Sequence, residues 1–344
     1  MSIEREITQE LKGIAVIFMV THHLFRFPER IYEGNYISLT GNIYKNYNLE
    51  YLIGDFGKIC ISMFLFLSGL GFYLSKNVDF NSFKKRFVQF YKYYLYILTL
   101  VSLLGFFLIK GKLIKGKIMY SGGINELLLN ILAIKTTYCG EWWFVGLYLQ
   151  ILLVSPLIFY ILKKNIKISV GIHLFLYLFY FIGLFIKYTN FYFLKENIVY
   201  INFMRFNFYQ IIYYLGIITA KLKLYEKIKI KINPYIGILS IFLIRNLTEK
   251  FKITVIFECS LVFLLIYFFL KILEKNKLSS MRKILEILGE NCLNIWLIHS
   301  LYIYYFFQKL TYQPRYSFLI LIWVIFLSFV TGKLLEKFYK KFIL

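Results

Sequence analysis

Charge is scarce in this chain of 344 residues: 17% are Asp, Glu, Lys or Arg, against about 25% in an ordinary soluble domain. An ordinary cytosolic enzyme is excluded on that ground. Proline is also rare, with four residues, and no Gly/Ser linker, internal repeat or low-complexity segment stands out. Only four cysteines are present, too few for a disulfide scaffold. Cys60, Cys139, Cys259 and Cys292 lack any CxxC spacing, and three of them lie inside apolar segments. They read as small buried hydrophobes, and no metal site is expected. Acidic residues are the scarcest charged class, 18 against 41 Lys plus Arg, for a net charge of +23.

What is abundant is apolar surface. Hydrophobic residues make up 59% of the chain, including 37 Phe and 31 Tyr, and the mean hydropathy is +0.64. Such a composition excludes intrinsic disorder. Apolar segments of membrane length are predicted at 11–27, 52–74, 87–109, 142–162, 168–187, 204–220, 233–248, 253–271, 286–307 and 316–335. Ten such spans of about 20 residues each account for most of that content. The backbone must pair internally in lipid, so the choice is helices or a closed barrel. Continuous runs without strict alternation select helices. The expected fold is an all-α polytopic membrane bundle of about ten transmembrane helices.

The excess of Lys and Arg sits in short runs between apolar segments, which excludes a nucleic-acid-binding domain and fits the cytoplasmic bias of cations in membrane proteins. With the N-terminus inside, just over half of the cations fall at inner span ends, from Arg5 and Lys12 to Lys340 and Lys341. Both termini are then expected in the cytoplasm. Lys110, Lys112, Lys115 and Lys117 run against this rule, in an outer segment 110–141 long enough for an interfacial helix at INELLLNILAIK. The N-terminal MSIEREITQE is polar and acidic, unlike a cleavable signal peptide. Residues 1–344 are expected to form a single membrane-embedded domain with no appended soluble domain, so chemistry is expected among the spans and their loops.

Ionisable residues inside such spans are costly and face a bundle interior or a water-filled cavity. The first span, LKGIAVIFMVTHHLFRF, holds two: His22 and His23. Lys12 and His23 are eleven residues apart, which returns to within about 20° of one helix face and separates them by about 16 Å. His22 points about 100° away. Deep in the ninth span, LGENCLNIWLIHSLYIYYF, Glu290, Asn291, Asn294 and His299 interrupt an otherwise lipid-like run. By length, His299 lies about 20 Å from the helix start near Glu286. His173 has no polar companions and reads as a lone structural histidine. Structural hydrogen bonding is an equal reading for the histidines of the first span.

Small residues Ser62, Ser68, Gly69 and Gly71 in GKICISMFLFLSGLGFYL suit close helix packing. FKKRFVQFYKYY follows, with Lys84, Lys85, Arg86 and Lys92 at the inner edge. Such a cluster anchors a span, and a phosphate-rich cosubstrate would need it too. The fourth span opens on Glu141, Trp142 and Trp143, residues suited to an interfacial belt or to a polar acceptor.

Taken in order, these segments resemble the acyltransferase 3 family of integral membrane acyltransferases. LKGIAVIFMVTHH is similar to the family's first span, with Lys12 at the usual Arg and His23 at the His. GKICISMFLFLSGLGFYL resembles the second span. FKKRFVQFYKYY resembles the entry to the third, where Arg86 matches one arginine and Gln89 replaces the other. WWFVGLYLQILLVSP matches through Trp143 and Pro156, with Tyr148 and Leu149 in place of a Glu-Glu pair. LGENCLNIWLIHS resembles the late segment through His299. The resemblance implies a multi-pass protein of the bacterial cytoplasmic membrane that transfers an acetyl group from acetyl-CoA, or another acyl-CoA cosubstrate, to a saccharide hydroxyl of the cell envelope. No tightly bound cofactor is implied. His23 and His299 become the catalytic candidates, Lys12, Lys85 and Arg86 the donor-binding ones, and Glu141, Trp142 and Trp143 the acceptor-binding ones. A glycan exporter or flippase would use the same buried histidines and basic loops without a thioester. A structural partner in wall assembly is disfavoured by the cost of burying those groups.

Overall fold

The structure, a computed structural model, describes residues 5–41, 47–75, 79–188, 196–275 and 279–343. In chain order its helices are α1 (Arg5–Phe25), α2 (Leu49–Gly57), α3 (Cys60–Leu74), α4 (Phe80–Leu108), α5 (Gly123–Ile131), α6 (Trp143–Lys164), α7 (Ile166–Tyr188), α8 (Ile198–Leu222), α9 (Pro234–Lys250), α10 (Thr254–Lys275), α11 (Ser279–Glu290), α12 (Cys292–Ser300) and α13 (Ser317–Phe342), with short helical turns at Leu224–Lys227 and Gln308–Thr311. Among the described residues the only sheet is the antiparallel hairpin of β1 (Leu113–Ile114) and β2 (Lys117–Ile118). Lys115 and Gly116 turn it with φ of 53° and 75°, the two positive values a type I′ turn requires. Within 110–141, where an interfacial helix is expected, a helix does form, α5. Lys76 and Lys277, counted among the inner cations, lie outside the described residues.

Each of the ten predicted spans falls on helix. Six segments are long and apolar enough to cross a membrane: Leu49–Leu74, Phe80–Leu108, Gly140–Lys164, Ile166–Leu184, Thr254–Lys275 and Ser317–Phe342. Together they make this a multi-pass, all-α membrane protein. In Ile166–Leu184 and Ser317–Phe342 only 17% and 22% of the apolar window is buried in protein, so these two offer most of their surface to lipid.

The other four expected spans all carry buried polar groups, and two of them are also short or broken: α9 has 17 residues, and α11 and α12 have 12 and 9. α1 carries Glu10 and His22, α8 carries Asn207 and Gln210, α9 carries Arg245, and the ninth span carries Asn294 and His299, all of them buried. The ninth span also departs from a single helix. It breaks into α11, α12 and a π-turn at Leu301–Tyr305. At the break, Asn291 Nδ2 donates to the Ile287 carbonyl at 2.7 Å, while the main-chain bond to that oxygen lengthens to 3.2 Å. A side chain competing for the carbonyl four residues back is a recognised cause of bending. The stretch from Glu286 to His299 is therefore not one continuous α-helix.

The chain divides into two compact units, Met1–Gly71 with Gly216–Leu344, and Phe72–Leu215, with boundaries inside α3 and α8. In the second unit, tyrosines fasten α5 to α4: Tyr94 Oη donates to the Asn130 carbonyl at 2.6 Å and Tyr91 Oη to that of Ile131 at 2.9 Å. In the first unit, glycines let helix backbones touch. A Cβ on Gly289 would stand 1.8 Å from the Gln9 carbonyl oxygen, and one on Gly13 would stand 2.0 Å from that of Leu285. α1 and α11 thus cross with a glycine on each side of the contact. A Cβ on Gly57 would stand 2.4 Å from the Phe18 carbonyl oxygen, where α2 packs onto α1.

Gly13→Ala and Gly289→Ala are each expected to destabilise the protein by about 1–3 kcal/mol, the usual cost of overpacking. The double variant should lose less than the sum, because one separation of α1 from α11 relieves both clashes. Thermal unfolding in detergent reads this directly.

Candidate active site

α1 runs unbroken from Arg5 to Phe25, so Lys12 and His23 keep the single face that their spacing dictates. Lys12 is half-buried near the start of the helix, and His23, also half-buried, lies near its end. The neighbouring histidine turns elsewhere. His22 Nδ1 is 2.7 Å from the Gly54 carbonyl, which can only accept, so Nδ1 carries the proton and donates. His22 is therefore a structural bond between α1 and α2, in the place where Gly54 permits the close approach.

His23 turns toward α12. Its ring centroid is 5.0 Å from that of His299, with the planes tilted by 42°. His299 is fully buried, and its Nδ1 lies 2.8 Å from the Trp296 carbonyl and 3.1 Å from that of Ile295. Two carbonyl acceptors hold the proton on Nδ1, which leaves the lone pair on Nε2. The two catalytic candidates, 276 positions apart in sequence, are thus neighbours, one with exposed surface and one enclosed.

The π-turn that follows His299 supplies the next contact. Tyr304 Oη donates to the His23 main-chain carbonyl, and its ring stands at 90° to the His23 ring, 6.1 Å away. Past the turn, Gln308 uses its whole amide. Oε1 accepts from the backbone N–H of Tyr32 at 2.6 Å and of Glu33 at 2.7 Å, while Nε2 donates to the carbonyls of Arg30 and Ile303, both at 2.9 Å. This side chain clips the segment after α1 to the segment after α12, alongside the main-chain bonds of Ile37 to Arg315 at 2.7 Å and of Ser317 to Ile37 at 3.2 Å. Burial raises the affinity of the nearby Tyr312 and Tyr36 hydroxyls for their protons.

A second polar chain braces the same end of this unit. Arg245 donates to the Asp55 carbonyl at 2.9 Å and lies 3.6 Å from Glu258, which accepts from Ser62 Oγ at 2.6 Å. The Asp55 carboxylate pairs with Arg26, three residues past His23. Removing one partner of such a buried pair strands the other charge.

The remaining candidates belong to the second unit. Arg86 is half-buried, its guanidinium 3.9 Å from the Phe72 ring centre, while Lys85 is exposed on the adjoining face of α4. Glu141 is buried and ion-paired to Lys115 at the tip of the hairpin, a local partner for one of the cations that ran against the expected inner bias. Trp142 is fully enclosed and meets Tyr94 edge-on at 5.8 Å. Trp143 keeps some exposed surface, with the Arg205 guanidinium 4.9 Å over its ring and Tyr209 5.8 Å away. His173 stacks on Tyr214 at 3.8 Å and bonds to Gln210, which donates back to the His173 carbonyl at 3.0 Å. It is a satisfied structural histidine.

Sequence reasoning passed over Tyr304, Gln308 and the Arg245–Glu258 pair. Tyr304 is one of 31 tyrosines and nothing local singles it out. Arg245 and Glu258 did carry a signal: opposite charges at corresponding depths of two consecutive apolar segments.

Compared with known families, residues 11–333 match the model of an acyltransferase domain, acyltransferase 3. No curated protein and no solved structure matches the chain.

Replacing Gln308 with Leu strands two N–H groups and two carbonyls, for an expected loss of about 1–3 kcal/mol. Hydrogen exchange at the Tyr32 and Glu33 amides should accelerate, while exchange in α4 and α6 stays unchanged. Gln308→Glu keeps the acceptor and should protect those two amides better than Leu does.

Proposed function

Because the chain belongs to the acyltransferase 3 family and is a membrane acyltransferase, we propose that it moves an acetyl group from acetyl-CoA to a hydroxyl of an extracytoplasmic polysaccharide or cell-surface glycan. The observation that carries this reading is the pairing of half-exposed His23 with enclosed His299 at 5.0 Å. His23 takes the proton of the acceptor hydroxyl as the oxygen attacks the thioester carbonyl. The tetrahedral adduct collapses, the C–S bond breaks, and the CoA thiolate leaves with the proton that His23 held. His299, protonated on Nδ1 by its carbonyl contacts, offers the Nε2 lone pair that stabilises the imidazolium His23 becomes. A neutral imidazole pair serves this step, and the site requires no resident cofactor for it.

CoA carries several negative charges and cannot enter hydrocarbon, so its phosphates need cations at the rim. Arg86, pre-oriented on the Phe72 ring, and exposed Lys85 are the donor-binding residues we assign, with Lys12 on the His23 face of α1 as a third. On the acceptor side, Trp143 retains surface for a sugar ring, with Glu141 beside it in sequence; the enclosed Trp142 serves packing. The reading places ten spans in a bacterial cytoplasmic membrane with both termini inside. The six lipid-like helices and the family support the multi-pass part of it.

His23→Ala should lower acetyl transfer from labelled acetyl-CoA to glycan acceptors by at least about 100-fold, the low end for loss of a general base. Undiminished transfer removes His23 from the mechanism. Arg86→Ala is expected to weaken CoA binding in an equilibrium assay, with a smaller loss at high salt. Equal affinity at all salt concentrations refutes the assignment of Arg86 to the donor.

A further inference from the structure

Three arginines gather at the His23 end of the first unit, and two of them are committed. Arg245 serves Glu258 and the Asp55 carbonyl, and Arg26 serves the Asp55 carboxylate. Arg30 is different. Its acidic neighbour among the described residues is Glu29, adjacent in sequence, 3.8 Å away and 67% exposed, a pairing of little worth in water. Yet its guanidinium is held. It lies 3.7 Å from the Phe27 ring centre and 5.8 Å from that of Tyr304. The Arg30 carbonyl is fixed by Gln308, whose other bonds reach the Tyr32 and Glu33 amides and the π-turn. The side chain keeps 28% of its surface.

Stacking on aromatic faces leaves the five N–H donors of a guanidinium in its plane, at the edge, where they match the paired oxygens of a carboxylate or phosphate. Tyr304, which touches this guanidinium, also bonds the His23 carbonyl and sets its ring against the His23 imidazole. A positive, pre-oriented donor set therefore stands one ring beyond the proposed base.

We infer that Arg30 reads an anionic group on the acceptor, so that the acyl group goes to an acidic glycan, bearing a uronate carboxylate or a phosphodiester, in preference to a neutral one. This rests on the acyl-transfer reading for the identity of the acceptor. Arg30 does not act on the transferred proton; it binds and orients the polymer whose hydroxyl His23 deprotonates.

The test uses the full-length protein in detergent and three probes: a uronic-acid oligosaccharide, the same oligosaccharide with its carboxyls reduced to alcohols, and a glycerol phosphate oligomer. Wild type should bind at least one acidic probe about tenfold more tightly than the reduced one, in the range of one charge-assisted contact. Which acidic probe wins identifies the anion. R30Q should lose that discrimination while keeping CoA affinity and thermal midpoint, and R30K should restore part of it. Wild-type discrimination must also shrink as salt rises, an arm independent of any variant. Equal binding of the oligosaccharide and its reduced form by wild type overturns the inference, as does discrimination intact in R30Q. Transfer from acetyl-CoA is measured separately on the same probes. Failure to acylate any of them counts against the acyl-transfer reading, while the binding result decides the role of Arg30 by itself.

Discussion

A hydrogen-bonding group sunk in hydrocarbon has to find its partner in protein, because no water is there to supply one. That constraint organises the first unit. His22 is answered by Gly54, Glu258 by Ser62 and Arg245, Glu10 by Arg282 at 2.9 Å, and Asn294 by Glu336 at 2.8 Å. Each pairing ties two helices, so the polar residues that weaken a span as a membrane crosser also fix how it packs. Glycines add to this by letting α1 approach α11 and α2 so closely that a Cβ at Gly13, Gly289 or Gly57 would strike a backbone carbonyl.

Two adjacent histidines on one helix are separated by this geometry into different jobs. A step of one residue turns about 100° around the axis, sending His22 to α2 and His23 to α12. His22 spends its Nδ1 proton on a carbonyl and becomes part of the frame. His23 stays near the surface of the unit, backed by an imidazole whose tautomer is set by main-chain carbonyls. The frame holds the His23 ring by its neighbours: His22 before it, Tyr304 on its carbonyl, and Arg26, paired to Asp55, just past the end of α1.

Much of this was legible in the sequence. Among the described residues, apolar runs located the six segments of membrane length, because a lipid-facing position records its apolar surroundings residue by residue. The eleven-residue spacing from Lys12 to His23 survives because α1 is straight. The break in the ninth span falls at Asn291, beside Gly289, but which carbonyl a side chain takes, and the close approach of Gln9, a residue 280 positions distant, are not legible locally. Trp142 and Trp143 look alike as a boundary pair, yet one is enclosed against Tyr94 and the other keeps surface. Burial of that kind comes from partners far along the chain and leaves no local mark. For the same reason a single glutamine that joins four backbone groups is invisible until the chain is folded.

The π-turn at Leu301–Tyr305 makes the surroundings of His23 depend on chain length. Its main-chain bond runs from the Phe306 N–H to the Leu301 carbonyl, one residue longer than an α-helical bond. Tyr304 sits inside that wider turn and donates to the His23 carbonyl. Removing one residue from the turn would shift which side chain occupies that place, since successive residues stand about 100° apart around a helix. The ring set against the imidazole is therefore chosen by the spacing of the chain as well as by its side chains.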